Sequence, residues 1–237
     1  RAESLLAAGQ PQEAVLELRA AVQARPDDAA LHLRLADLLV DYGHTPSALH
    51  FYREANYLEP DDQQTALRLA ELLVREDPER SRELIDGVLA RDPGSAGARL
   101  QQAELALVSG DTREAMRLVE LARSLSPDNP EVYWKLAHVH EATIHAIRKR
   151  PGRKVHHAST FTAVLEAYDQ YYAKGGTRKI ETLVARAELL AIWPGHAKQA
   201  SRSFHLALKL AEKEGTRGET LFAVSRAREF ARNEGDR

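Results

Sequence analysis

The sequence predicts an all-α fold: an α-solenoid of about six helix-turn-helix repeats closed by a C-terminal capping helix. Three observations carry this. Prolines recur at Pro26, Pro60, Pro93 and Pro127, spaced 34, 33 and 34 residues apart. Residues of limited size stand at fixed offsets from them: Ala14, Ala48, Ser81 and Ala115 twelve before, Ala21, Ala55, Val88 and Ala122 five before, and Ala36, Ala70, Ala103 and Ala137 ten after. Gly9, Gly43 and Gly110 break the pattern between two helical stretches of a unit. Proline cannot continue a helix, so each one ends a unit, while small side chains let neighbouring helices approach closely.

The second unit, 29–60, is the clearest copy, with its break at Tyr42, Gly43 and His44. The first lacks its beginning. The third has no glycine turn and carries Asp77-Pro78 instead, with proline at a favoured first helical position. The fourth repeats Ala103, Ala115, Val119, Ala122 and Pro127. Beyond Ala137 the register breaks. Helical pattern runs over 135–147, a basic stretch follows, and a second helix is expected over 156–172 with Thr160, Val164 and Ala167 at the packing positions. Ala137 to Thr160 is 23 residues where 12 is the rule, an insertion of 11, or roughly three helical turns. The last unit follows Gly175-Gly176, with Ala187, Ala200, Phe204 and Ala207 and a turn at Trp193-Pro194-Gly195. A final helix has Leu221, Phe222, Val224, Ala227, Phe230 and Ala231 on its apolar side. Repeat arrays need such a cap over the last apolar face. The expected organisation is one superhelical domain over 1–237: regular repeats 1–128, an irregular repeat with a basic insertion 129–176, a last repeat 177–215 and the capping helix 217–234.

Composition narrows the function. The 237 residues are 43% hydrophobic and 29% charged, with net charge −2 and no cysteine. That balance is a soluble chain's, and it excludes disulfides and thiolate metal sites. No apolar run nears the roughly 20 residues of a membrane span, so no membrane insertion is expected. The chain opens at Arg1 inside a helical pattern and reads as a fragment or processed chain. Its compartment stays open, with a lean to the cytoplasm and the periplasm allowed if a signal or anchor was removed. Arginine and alanine richness points to a bacterial source. The small net charge hides a split: residues 1–130 hold 14 Arg, no Lys and 23 acids, net −9, and residues 131–237 hold 19 basic and 12 acidic residues, net +7. No phosphate loop, dinucleotide glycine pattern, HExxH or GxSxG occurs, so no catalytic residue, cofactor or enzyme activity is assigned.

The run Leu35-Ala36-x2-Leu39, then Ala48-x3-Tyr52-x2-Ala55, then Pro60 resembles the tetratricopeptide repeat family. The resemblance covers 1–140 well. It implies a right-handed superhelix whose first helices line a concave groove, and a protein-interaction scaffold that assembles a complex. Carried over residue by residue, the groove positions are Leu33, Asp37 and Val40; Leu67, Glu71 and Val74; Leu100, Glu104 and Leu107; and Trp134, His138 and Glu141. Beside them run Arg34, Arg68, Gln101 and Lys135. An acidic rail with apolar rungs would hold a protein or peptide segment with basic and apolar side chains. Equally, Arg34–Asp37 and Arg68–Glu71 are i,i+3 pairs of a solvated face. Some members of the family clamp a C-terminal carboxylate with Lys and Asn on these helices. Here Leu33, Asp37, Arg68 and Glu71 stand there, and the acids argue against that role.

The basic insertion, Arg148, Lys149, Arg150, Arg153 and Lys154, offers a second reading: binding of a polyanion such as nucleic acid or acidic polysaccharide. Phe161, Tyr168, Tyr171 and Tyr172 follow at helical spacing and are expected to pack. His138, Glu141 and His145 share a helix face, but two turns, about 10 Å, keep both imidazoles off one ion unaided, and no metal is assigned; His140, His156 and His157 complete the cluster. Regulation or localisation of an attached catalytic domain, and association of two copies, remain open alternatives.

Overall fold

In the computed structural model the described residues are 1–148, 158–214 and 217–235. They form thirteen helices and, among the described residues, no strand. The chain divides into two compact units, Arg1–Asp111 and Thr112–Arg237. Unit 1 holds α1 (Ala2–Ala7), α2 (Pro11–Ala24), α3 (Ala29–Asp41), α4 (Thr45–Leu58), α5 (Gln63–Leu73), α6 (Pro78–Arg91) and α7 (Ala96–Val108). Unit 2 holds α8 (Thr112–Leu125), α9 (Pro130–Arg148), α10 (Ala158–Ala173), α11 (Lys179–Ile192), α12 (Ala197–Glu214) and α13 (Arg217–Gly235). Within each unit, helices adjacent in sequence pack on one another. α5 also meets α7, and α11 also meets α13, so in these two places successive first helices approach each other.

Local chemistry repeats with the period. Two residues after each periodic proline stands a capping side chain. Asp28 Oδ1 accepts from the Leu31 N–H at 3.1 Å, Asp62 Oδ2 from Thr65 at 2.9 Å, Ser95 Oγ from Ala98 at 3.3 Å, and Asn129 Oδ1 from Glu131 at 3.0 Å. Each satisfies a backbone donor left over at a helix start. The proline carbonyls are met as well: His32 Nε2 donates to Pro26 O at 2.8 Å, Arg91 to Pro60 O, Arg99 to Pro93 O and Tyr133 Oη to Pro127 O at 2.9 Å. At the other helix end, Gly43 takes φ +76° while His44 N–H bonds Leu39 O and Gly43 N–H bonds Val40 O. That is a left-handed closing turn suited to glycine, and Gly9 and Gly110 repeat it. The third unit does without it: α5 stops at Leu73, and Asp77 caps α6 by accepting from the Arg80 N–H at 3.0 Å, with Pro78 at the first helical position.

The small periodic residues are where helices meet. Ala14, Ala48, Ser81, Ala115, Ala36, Ala70, Ala103 and Ala137 are all fully buried. Ser81 Oγ spends its hydrogen bond on Ala70 O at 2.8 Å, so the one polar member is satisfied. In unit 1, Ala14, Ala36, Ala48 and Ala70 join Leu35, Leu39, Tyr52, Leu73 and Ile85 in one core. Ala70→Leu is expected to cost unit 1 about 1–3 kcal/mol, since no space exists for the added carbons. Urea unfolding followed by far-ultraviolet circular dichroism measures it.

The two helices of the irregular unit have other bounds than the expected 135–147 and 156–172. α9 is 19 residues long, against 13 for α3 and α7. α10 starts at Ala158, and Lys149, Arg150, Arg153, Lys154, His156 and His157 lie outside the described residues. The capping helix turns inward two residues of the expected face, Ala227 and Phe230, but not its first two. Leu221 is 61% and Phe222 41% exposed, while Ala223, at 1%, turns inward with Ala227 and Phe230 onto Ile180, Val184 and Phe204. Ala223, Ala227 and Phe230 follow i, i+4, i+7 spacing, and that stripe is the one α11 and α12 cover.

Candidate partner-binding faces on the first helices

In unit 1 the first helices are α1, α3, α5 and α7. Arg34 reaches back to Glu3 on α1, so it is paired along the array rather than with Asp37. Asp37 Oδ1 instead accepts from the Tyr52 hydroxyl of α4 at 2.5 Å. Burial and this bond push the Tyr52 hydroxyl pKa up. Asp41, one turn beyond Asp37, joins the same group: burial and then the Asp37 charge raise its pKa, and Arg68 lowers it. Arg68 Nη1 stands 3.6 Å from Glu71 Oε2, with both side chains about half exposed. Asp37, Asp41, Arg68 and Glu71 are therefore electrostatic neighbours, and Glu104 stands half-buried on α7. The rungs differ among themselves. Leu33 and Leu67 are partly buried against the core, Val40 is exposed, and Leu100 and Val74 are packed inside. Gln101 and Leu107 are partly buried. With Glu3 included, five carboxylates meet three guanidinium groups on these helices, Arg34, Arg68 and Arg99, so the face keeps an acidic excess. Arg99 is turned to Gln102 and to Pro93 O.

In unit 2 the first helices are α9, α11 and α13. Trp134 is partly buried: its ring lies 4.6 Å from His138, 5.7 Å from Tyr168 and 5.3 Å from Tyr171, and Arg178 stacks over it at 5.0 Å. Arg178 is held by Glu131 at 2.7 and 2.8 Å. Trp134 thus cements α9 to α10 and the turn after it. Lys135 and His138 are partly buried on the same helix. Arg148 closes α9 and is exposed. Among the described residues no group of three His, Asp or Glu stands close enough to hold a metal ion.

Glu141 is the unusual member. The equivalent positions in earlier units are Val40, Val74 and Leu107, so a carboxyl replaces an apolar side chain. It accepts from the Tyr168 hydroxyl at 2.7 Å. Burial first, and then the charge of Glu188, raise its pKa to about 7 against the Tyr168 hydrogen bond. Beside it lies a cavity of about 280 Å³ between α9, α11 and α13, lined by Glu141, Glu188, Arg226, Phe204 and Phe230 among others. Sequence reasoning named Glu141 but missed Asp41, Glu188 and Arg226. A carboxyl at a position otherwise held by Val or Leu was the available signal for the cavity. Its partners come from distant helices and leave no local mark.

Helix pairs stacked through small residues, with chemistry left over on the first helices, define a helical-repeat protein of the interaction-scaffold class. The tetratricopeptide repeat model matches residues 5–73 and 72–139, and the chain belongs to that family. Among solved structures it is similar to a tetratricopeptide repeat protein from Parabacteroides merdae ATCC 43184, at 17% identity over 97% of this chain and 81% of that one, with a TM-score of 0.74. It is similar to TTC0263, a thermophilic TPR protein of Thermus thermophilus, at 18% identity, 84% and 98% coverage and a TM-score of 0.66. It is also similar to human IFIT1, solved as a dimer with m7Gppp-AAAA, at 15% identity, 94% and 55% coverage and a TM-score of 0.69. At these identities the likeness concerns the fold. No curated protein sequence matches the chain. No described helix is long and apolar enough to cross a membrane.

Proposed function

We propose that this protein is a non-catalytic scaffold that holds a basic and apolar peptide segment of a partner along its first helices and so assembles a larger complex. The family's fold supports a general protein–protein interaction role. What favours this partner chemistry is one observation: while the small packing positions of the repeats are sealed, Asp37, Asp41, Glu71 and Glu104 of unit 1 stay at least partly accessible and outnumber the guanidinium groups beside them. An acidic surface of this kind attracts basic segments and raises their rate of encounter.

The test is capture of a fluorescent peptide of alternating lysine and leucine. Each exposed charge pair is worth about 0.5–1 kcal/mol, so E71K combined with E104K is expected to weaken capture roughly tenfold. Unchanged capture, with the helical signal intact, removes the reading. The polyanion alternative rests on the net charge of +7 over residues 131–237. Under it, a single-stranded RNA probe binds at low salt and is released steeply as salt rises.

A further inference from the structure

The cavity between α9, α11 and α13 has the size and lining of a site for one side chain. Its volume, about 280 Å³, is at the lower edge of small-molecule pockets, which run roughly 300–1,000 Å³. Ile144, Ile192, Phe204 and Phe230 give it apolar walls. Exposed His145 and Glu229 set one side of it at the solvent. Its charges are unequal: Glu141, Glu188 and Glu229 stand against Arg226. Arg226 is already committed, with Nε on Glu188 and Nη1 on Glu229 at 3.0 Å. Among the described residues Glu141 is bonded by a neutral donor alone, Tyr168, and makes no ion pair.

We propose that this cavity takes a lysine or arginine side chain of a partner peptide, its aliphatic stem along the isoleucine and phenylalanine walls and its cationic end on Glu141. The proposal rests on the partner-peptide reading above and names the residue class that anchors in unit 2. A carboxylate or phosphate entering here meets three carboxylates. A purely apolar side chain leaves Glu141 desolvated without a charged partner, which is costly. A basic side chain satisfies both walls, and a long cationic side chain in a pocket is a frequent anchor of protein interfaces.

Occupation then depends on pH. Among the described residues the groups facing Glu141 are Tyr168 from α10, Glu188 from α11, Arg226 and Glu229 from α13, and His138 and His145 on its own helix. Glu141 is half protonated near pH 7, and an arriving cation requires the carboxylate, so a proton leaves as the ligand enters. Affinity rises as pH rises through 7.

The whole chain, labelled at isoleucine δ1 methyls, is titrated with acetyl-Leu-Lys-Leu-amide and its arginine, norleucine and glutamate counterparts, and with n-butylamine. Saturable shifts of the Ile144 and Ile192 methyls are expected with the lysine or arginine peptide at pH 8. Binding should weaken at least fivefold at pH 6 and in E141Q, whose fold is checked by thermal melting, and H145N should keep the pH dependence. No saturable shift with either basic peptide overturns the proposal. Equal binding of the norleucine or glutamate peptide overturns it by removing the cation, and n-butylamine binding as tightly as the lysine peptide overturns it by making the site one for free amines. Loss of the pH dependence in H145N assigns it to the wrong residue and overturns the role of Glu141. E71K with E104K leaves these shifts unchanged, so failure of this pocket and failure of the unit 1 face are told apart.

Discussion

Gly176→Ala is expected to destabilise unit 2 by about 3 kcal/mol, more than Gly175→Ala beside it. Conformation alone gives the opposite order. Gly175 holds φ +87°, where a Cβ costs about 1–2 kcal/mol, and nothing lies within 4 Å of that Cβ. Gly176 has no such dihedral, yet a Cβ on it would collide with the hydroxyl-bearing edge of the Tyr171 ring. The ring has nowhere to go. Tyr171 is 1% exposed, flanked by Trp134 at 5.3 Å and Tyr172 at 5.8 Å, and its hydroxyl accepts from the Arg178 N–H at 2.9 Å. Tyr171→Ala alone should cost about 3–5 kcal/mol through the cavity it leaves. In the Gly176→Ala background it should cost clearly less, because the first substitution has already spoiled the contact. Both tryptophans, Trp134 and Trp193, belong to unit 2, so urea unfolding read by tryptophan fluorescence isolates this effect. Equal losses at Gly175 and Gly176, or strict additivity with Tyr171→Ala, would show that the ring yields.

The contrast between these two glycines separates what a sequence displays from what only packing decides. The period of the prolines and alanines was legible because each small residue answers a backbone approach that recurs in every unit, and Ala36, Ala48, Ala70 and Ala103 are sealed as their offsets require. The capping residues Asp28, Asp62, Ser95 and Asn129 were equally periodic and needed only alignment to be seen. Pairings were not legible. Arg34 has Asp37 three residues away and binds Glu3 of α1 instead, while the Tyr52 hydroxyl takes Asp37. Trp134 has the offset of a groove rung, and its ring also packs on aromatic residues that the irregular α10 supplies. Leu221 and Phe222 fitted the apolar side with Ala227 and Phe230, yet only Ala227 and Phe230 of that set, joined by Ala223, pack onto α11 and α12. Spacing selects the possible faces of a helix, and the partner helix chooses among them.

Glu141→Gln should raise the stability of unit 2 at pH 8 by about 2–3 kcal/mol and flatten its dependence on pH between 5 and 8. The carboxyl titrates near 7 in the folded protein against 4.5 for an ordinary glutamate. Between those values the folded state binds more protons than the unfolded one, so stability falls as pH rises through this window. The contribution is whole below about 4.5 and gone above about 7. Glutamine keeps an oxygen to accept from Tyr168, whose hydroxyl lies at 2.7 Å, and removes the charge that burial and Glu188 oppose. Thermal melting of both proteins from pH 5 to 8, followed by tryptophan fluorescence, measures the difference. A wild-type midpoint that climbs with pH, or a variant no more stable at pH 8, would place the carboxyl in water instead. The position makes the test pointed. Val40, Val74 and Leu107 show what the repeat accepts there when packing alone decides, and a carboxyl is worse for the fold than any of them. A half-buried acid that weakens its own unit, set at the wall of a cavity with Arg226 already committed to other acids, is arranged for a cation that no described residue supplies.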